Sequence, residues 1–118
     1  DIESPKQLSR DKMRGNIFEN FVVMEAVKHR MNAGKEGGVY FYRDSNMNEI
    51  DLLVKEEGMI KAFEIKSSMT YTKDFEKTLR KLPEWIKTPV ERKVVVYDGE
   101  FENTAGEVEI VNYRSLRF

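Results

Sequence analysis

Residues 49–66, Glu49-Ile50-Asp51-Leu52-Leu53-Val54-Lys55-Glu56-Glu57-Gly58-Met59-Ile60-Lys61-Ala62-Phe63-Glu64-Ile65-Lys66, hold two apolar and β-branched segments split by Glu56-Glu57-Gly58. A short Gly-bearing break between two such segments predicts a β-hairpin. If Glu57-Gly58 is a two-residue loop, Glu56 faces Met59 and the whole register follows. Leu53 then faces Ala62, Leu52 faces Phe63, Asp51 faces Glu64, Ile50 faces Ile65 and Glu49 faces Lys66. A three-residue bulged loop would shift these pairs by one. In the two-residue register, Ile50, Leu52, Phe63 and Ile65 form one apolar face. Glu49, Asp51, Glu64 and Lys66 gather at one end of the other.

Working outward toward the N-terminus, Val39-Tyr40-Phe41-Tyr42-Arg43 is a strand by its aromatic and β-branched content, and residues 44–48 are a polar turn. Before it, good helix formers from Met13 to Met31 predict a helix with apolar residues nearly all round, which must be covered on several sides. Asn32-Ala33-Gly34 and Gly37-Gly38 stop it. Residues 1–12, with Pro5 and no sustained periodicity, are expected to be a linker or arm. Toward the C-terminus, Thr72 is a candidate N-cap for a helix with Phe75, Leu79, Leu82 and Ile86 on one face, weakened or ended by Pro83. Lys93–Tyr97 predicts a buried strand, and Val108–Tyr113 a further one. The order αβββαβ plus a final strand implies an α/β fold of α+β sandwich type: one mixed sheet flanked by two helices, a single domain over 13–118.

The chain has 118 residues, enough for one hydrophobic core, and 20 Lys+Arg against 21 Asp+Glu give a formal net charge of -1. A uniformly polybasic nucleic-acid binder is excluded, so any such binding uses a local patch. With no Cys, disulfide frameworks, thiolate metal sites and thiol nucleophiles are excluded. No apolar run approaches the roughly 20 residues of a membrane-spanning helix, and Asp1-Ile2-Glu3 does not open a signal peptide. A soluble, cytoplasmic protein without membrane partners is expected, and the missing initiator Met suggests a piece of a longer polypeptide.

The chemistry concentrates at the charged end of the hairpin. Directly opposed carboxylates, with Cβ atoms roughly 4.5 to 5.5 Å apart, repel unless a cation or a proton sits between them. A shared divalent metal resolves the repulsion, since Mg²⁺ takes a few carboxylate oxygens and keeps waters for a substrate phosphate. Lys66, two residues after Glu64, shares its face and can orient an attacking water or stabilise phosphoryl charge. The competing reading is an exposed strand end whose alternating charges contribute little. Glu19 adds weight to the first, because at about 100° per residue it lies within roughly 60° of Val22, Val23 and Ala26 on an apolar stripe. A carboxylate there needs a partner, and the same cation would serve, directly or through water.

Glu19 in the first helix, then Asp51, then Glu64-Ile65-Lys66 on the following strand resembles the PD-(D/E)xK nuclease superfamily, the restriction-endonuclease-like fold. The wider run Gly15-Asn16-Ile17-Phe18-Glu19-Asn20-Phe21-Val22, Tyr40-Phe41-Tyr42-Arg43-Asp44, Asn48-Glu49-Ile50-Asp51 and Phe63-Glu64-Ile65-Lys66-Ser67-Ser68 is similar to the C-terminal domain of archaeal and bacterial AAA-type ATPases. The resemblance implies DNA as substrate, Mg²⁺ (or Mn²⁺ in its place) held by Asp51 and Glu64 with Glu19 joining the shell, Lys66 assisting the attacking water, and an ATPase domain in the same polypeptide. Ile50 stands where the motif's name has Pro. The superfamily also includes members that do not cut, so a non-cutting module that binds DNA or a protein partner is the alternative.

Other features compete with plainer readings. Arg43 can contact a phosphate or pair with Asp44 or Glu49. Lys73, Lys77, Arg80 and Lys81 can follow a nucleic-acid backbone or form a solvated helix face. His29, the only His, suits a helix end where a cation meets the dipole. Ser67-Ser68 lacks a His and Asp constellation, and Gly34-Lys35 lacks the spacing of a phosphate-binding loop.

Overall fold

The computed structural model describes the backbone of residues 5–34 and 38–118, and the side chains of 15–34 and 38–118. Its elements are α1 (Pro5–Asn32), β1 (Val39–Arg43), β2 (Glu49–Glu56), β3 (Met59–Lys66), a 3-10 turn (Lys73–Glu76), α2 (Lys77–Trp85), β4 (Val90–Tyr97), β5 (Val108–Asn112) and a closing 3-10 turn (Tyr113–Ser115). The five strands form one mixed sheet in the order β1-β2-β3-β4-β5. β1, β2 and β3 run antiparallel as a meander, while β4 and β5 lie parallel to β3. The architecture is the α+β sandwich expected from the element order.

The hairpin has the expected register: Leu52 pairs with Phe63, Leu53 with Ala62 and Glu56 with Met59. Glu57 and Gly58 both have positive φ, 52° and 80°, as a two-residue type I′ turn requires. Gly58 adopts this backbone without a Cβ penalty, whereas Glu57 bears one.

The expected uniform apolar face does not form. Leu52, Val54, Phe63 and Ile65 pack with Val22 and Ala26 of α1, whereas Ile50 packs with Leu53, Ala62, Leu79 and Leu82 on the α2 side. The reason lies in β1. Tyr40 pairs with Leu53 but Tyr42 with Ile50, so Asp51 and Leu52 together oppose the single residue Phe41. This is a β-bulge, and the extra residue reverses the alternation of β2 beyond it.

The helices also differ from expectation at their starts. α1 begins at Pro5, eight residues before Met13 and within the expected arm. Proline suits the first helical turn, where its missing N–H has no intrahelical partner, and Lys6, Gln7, Leu8, Arg10 and Lys12 are good helix formers. Residues 1–4 of the arm, and Gly37 of the helix-stop signal, lie outside the described residues. At the second helix the first turn after Thr72 is 3-10, and α2 proper runs through Pro83 to Trp85. The Thr72 side chain makes no capping bond. Leu79 and Leu82 are fully buried, and their packing holds the helix across the missing Pro83 N–H. None of the described helices is long and apolar enough to cross a membrane.

Candidate functional site

Beyond the Leu52–Phe63 pair the β2–β3 ladder opens, and side chains replace backbone carbonyls as acceptors. The Asp51 N–H donates to Glu64 Oε1 at 3.1 Å, and the Ile65 N–H donates to Asp51 Oδ2 at 2.8 Å. The two carboxylates thus interlock across the opening, each satisfying an amide that the ladder has left behind. Lys66 Nζ lies 3.6 Å from Glu64 Oε2 and 5.7 Å from the centroid of Phe75, a cation–π distance. A Thr78 side-chain hydrogen bond also reaches Glu64.

α1 brings the fourth residue. It passes the open end with Gly15 so near Ser67 that an added Cβ would lie 3.4 Å from the hydroxyl oxygen. Glu19 follows about one turn later and lines a small cavity of about 110 Å³ with Tyr42, Arg43, Glu49 and Asp51. Asp51, Glu64 and Lys66 therefore gather at the opened end of the ladder, and α1 sets Glu19 beside Asp51.

The electrostatics follow from burial. Glu64 is 5 % exposed, and desolvation, reinforced by the Asp51 charge, raises its pKa to about 7 in spite of Lys66 and its hydrogen bonds. Burial also raises Asp51, against the Ile65 amide and Lys66, which hold it down. Glu19 is raised first by burial and then by the negative charges of Asp51 and Glu49. Such an acidic pocket is relieved by a proton or by a cation.

The donor set suits a divalent ion of the Mg²⁺ kind, which binds through one or two carboxylates and completes its shell with water and phosphate. Asp51 and Glu64 each give one oxygen to a backbone amide. The second oxygen of Glu64, Oε2, lies beside Lys66 Nζ. Among the described residues no three carboxylates converge into a ready-made cage, and no buried side-chain polar atom lacks a hydrogen-bond partner. The fit therefore rests on the pair Asp51 and Glu64, with Glu19 alongside.

The weaker candidates divide. Arg43 is paired with Glu49 at 2.9 Å, the plainer of its two readings. Arg80 is held by Glu76 at 2.6 Å and by Glu107 at 3.3 Å, so it is anchored to the fold in a way that Lys73, Lys77 and Lys81, all exposed, are not. Sequence reading missed Thr78 and Phe75 as neighbours of Glu64 and Lys66. Both sit on the side of the 3-10 turn and α2 facing β3, and the apolar period that placed Phe75, Leu79 and Leu82 on one face was the available signal.

The sequence matches the DUF4143 family, a domain of unknown function, over residues 14–116. The chain belongs to the DUF4143 family. The match covers every strand of the sheet together with Glu19, Asp51, Glu64 and Lys66, so the whole site lies inside the DUF4143 domain. No curated protein and no solved structure matches the chain.

Proposed function

We propose that this DUF4143 domain is a metal-dependent phosphodiesterase acting on DNA, a restriction-endonuclease-like module working in the cytoplasm behind an ATPase domain of the same polypeptide. The observation that carries the reading is the interlocked pair of half-buried Asp51 and buried Glu64, mutually repelling and set beside the Lys66 ammonium. The resemblance to the PD-(D/E)xK superfamily points the same way. Asp51 and Glu64 would hold Mg²⁺ or Mn²⁺, with Glu19 extending the shell. The ion supplies positive charge against the phosphoryl oxygens as negative charge develops there. Lys66, held by Glu64 and Phe75, would orient the attacking water and stabilise the same developing charge. The amides of Asp51 and Ile65 fix the carboxylates, so little reorganisation is needed when substrate binds.

One observation favours a second reading. Both carboxylates already satisfy backbone amides at the opened ladder, a structural task that a non-cutting DNA-binding or protein-binding module would also need. Cleavage assays on linear, single-stranded and branched DNA in Mg²⁺ or Mn²⁺, with and without the ATPase domain and ATP, separate the two. A nuclease yields metal-dependent products, and Lys66→Ala lowers the rate by about 10² to 10⁴-fold while metal binding persists. No product from any substrate, with the full-length protein included, establishes the silent module.

A further inference from the structure

A cavity of about 580 Å³ opens at the C-terminal ends of β3 and β4, between the loop Met69–Tyr71 and the loop Asp98–Phe101. Its size is that of small-ligand sites, roughly 300 to 1,000 Å³. In α/β sheets, ligands favour the carboxyl ends of parallel strands. The cavity is joined to the carboxylate site by a row of rings. Lys66 Nζ sits over Phe75, Phe75 meets Tyr71 edge-on at 6.1 Å, and Tyr71 meets Phe101 at 5.3 Å.

The lining has a definite chemistry. Apolar and aromatic surface from Met69, Tyr71 and Phe101 over the buried Tyr97 is combined with the carboxylates of Asp98 and Glu100, of which Asp98 is paired with Arg114 at 3.4 Å; none of the described lining residues is itself Lys, Arg or His. With Asp98 offset by Arg114, Glu100 leaves the lining mildly acidic, which favours a neutral group inside it and the phosphates of a strand outside. A flat, neutral ring bearing N–H donors would find stacking surface and acceptors together. Phe101 and Met69 remain 52 % and 72 % exposed, large apolar surfaces held at the mouth. Tyr71 and Phe101 pack against each other, which leaves no slot between the rings for an ammonium group.

The cavity is also built rigidly. The Tyr97 hydroxyl donates to the Phe101 carbonyl at 2.7 Å, the Asp98 N–H donates to the Ser68 carbonyl at 2.9 Å, and the Asn112 side chain donates to the Gly99 carbonyl at 2.8 Å. Gly99 is obligatory, since a Cβ would come 2.3 Å from the Tyr97 ring and 2.5 Å from the Met69 carbonyl.

We infer that this cavity receives one unpaired nucleobase of a DNA strand whose backbone passes Lys66, which makes unpaired DNA the substrate class of the neighbouring site. The inference rests on the DNA reading of that site. Base–aromatic stacking tolerates any base and requires the base to leave its duplex, so single strands or unpaired junctions are the ligands that fit.

The test measures binding by the whole chain in EDTA, where cleavage plays no part. The probes are a short single-stranded oligonucleotide, its duplex and a series carrying one abasic position. The expected result is at least about tenfold tighter binding of the single strand, a drop at one abasic position, and a loss of about tenfold on Phe101→Ala. Met69→Ala, also at the exposed mouth, gives a smaller loss and serves if Phe101→Ala does not fold. Equal affinity for single strand and duplex, or a folded mouth variant that binds like the parent, overturns the inference. Single-strand binding with no cleavage in Mg²⁺ would sink the hydrolytic reading and leave the pocket standing. Cleavage without strand preference would do the reverse.

Discussion

At its turn end the β2–β3 hairpin keeps its ladder: Glu56 pairs with Met59, Leu53 with Ala62, two residues of positive φ complete the loop, and Arg30 of α1 reaches Glu56 at 3.5 Å. At its open end, less than ten residues along the same strands, the ladder has stopped and two carboxylates stand in for carbonyls. The first end is held by its ladder, its turn and an ion pair. The second is a region of stored repulsion, where burial raises Asp51, Glu64 and Glu19 together. A bulge separates the two regimes, and bulges commonly re-aim side chains beside functional sites. Perturbations should therefore act oppositely at the two ends: neutralising a carboxylate at the open end should stabilise the metal-free fold, whereas at the turn end, where Glu56 pairs with Arg30 at 3.5 Å, neutralisation should cost stability.

The largest effect is expected from metal linkage. A ligand bound only by the native state adds RT ln(1 + [L]/Kd), about 2.7 kcal/mol at a hundredfold excess over Kd. Melting in millimolar Mn²⁺ or Mg²⁺ should thus exceed melting in EDTA by several degrees. Asp51→Asn, which keeps an oxygen for the Ile65 N–H, should raise the EDTA value and abolish most of the metal-dependent gain. Identical melting of both proteins with and without metal would mean that the open end is a structural staple only.

How much of this contrast was legible beforehand depends on which contacts are local. The register came from Glu57-Gly58, because a two-residue loop leaves no freedom in the pairing of adjacent strands. Asp51, Glu64 and Lys66 followed from period-two arithmetic, and Glu19 from its place on an apolar helical stripe. The bulge did not follow, since it depends on how Phe41 of β1 meets Asp51 and Leu52, and nothing within the hairpin encodes that meeting. Ile50 was consequently assigned to the wrong face. Arg80 was read with its helix neighbours, while its partner Glu107 lies 27 positions away. The cavity at Met69–Tyr71 and Asp98–Phe101 arises from two loops without periodicity, brought together only by the parallel pairing of β3 and β4.

A smaller effect is expected from pH. Glu64 has a folded pKa of about 7, above the ordinary glutamate value of about 4.3. The folded state therefore binds more protons than the unfolded state between those values, and metal-free stability falls as pH rises through that window. The full shift amounts to at most roughly 4 kcal/mol at 1.36 kcal/mol per unit. With solvent and local relaxation relieving part of the desolvation, a loss of about 2 kcal/mol between pH 4.5 and 8 is expected. Glu64→Gln should flatten this dependence and be the more stable protein at pH 8 in EDTA. A parent whose stability rises monotonically over the same range would show that the carboxylates are ionised and compensated without metal.

The smallest effect belongs to the turn. Glu57 holds φ at 52°, a left-handed conformation that a Cβ disfavours by roughly 1 kcal/mol and that Asn tolerates. Because Gly58 already follows, Glu57→Asn creates the Asn-Gly pair preferred in type I′ turns. Denaturant melts should show a gain of about 0.5 to 1 kcal/mol from removed strain. The gain should be the same in EDTA and in Mn²⁺, because the turn lies at the far end of the strands from Asp51 and Glu64 and carries none of their repulsion. A gain that depended on metal would mean that strain at Glu57 is transmitted along β2 to the bulge, and the two ends would then be one coupled unit.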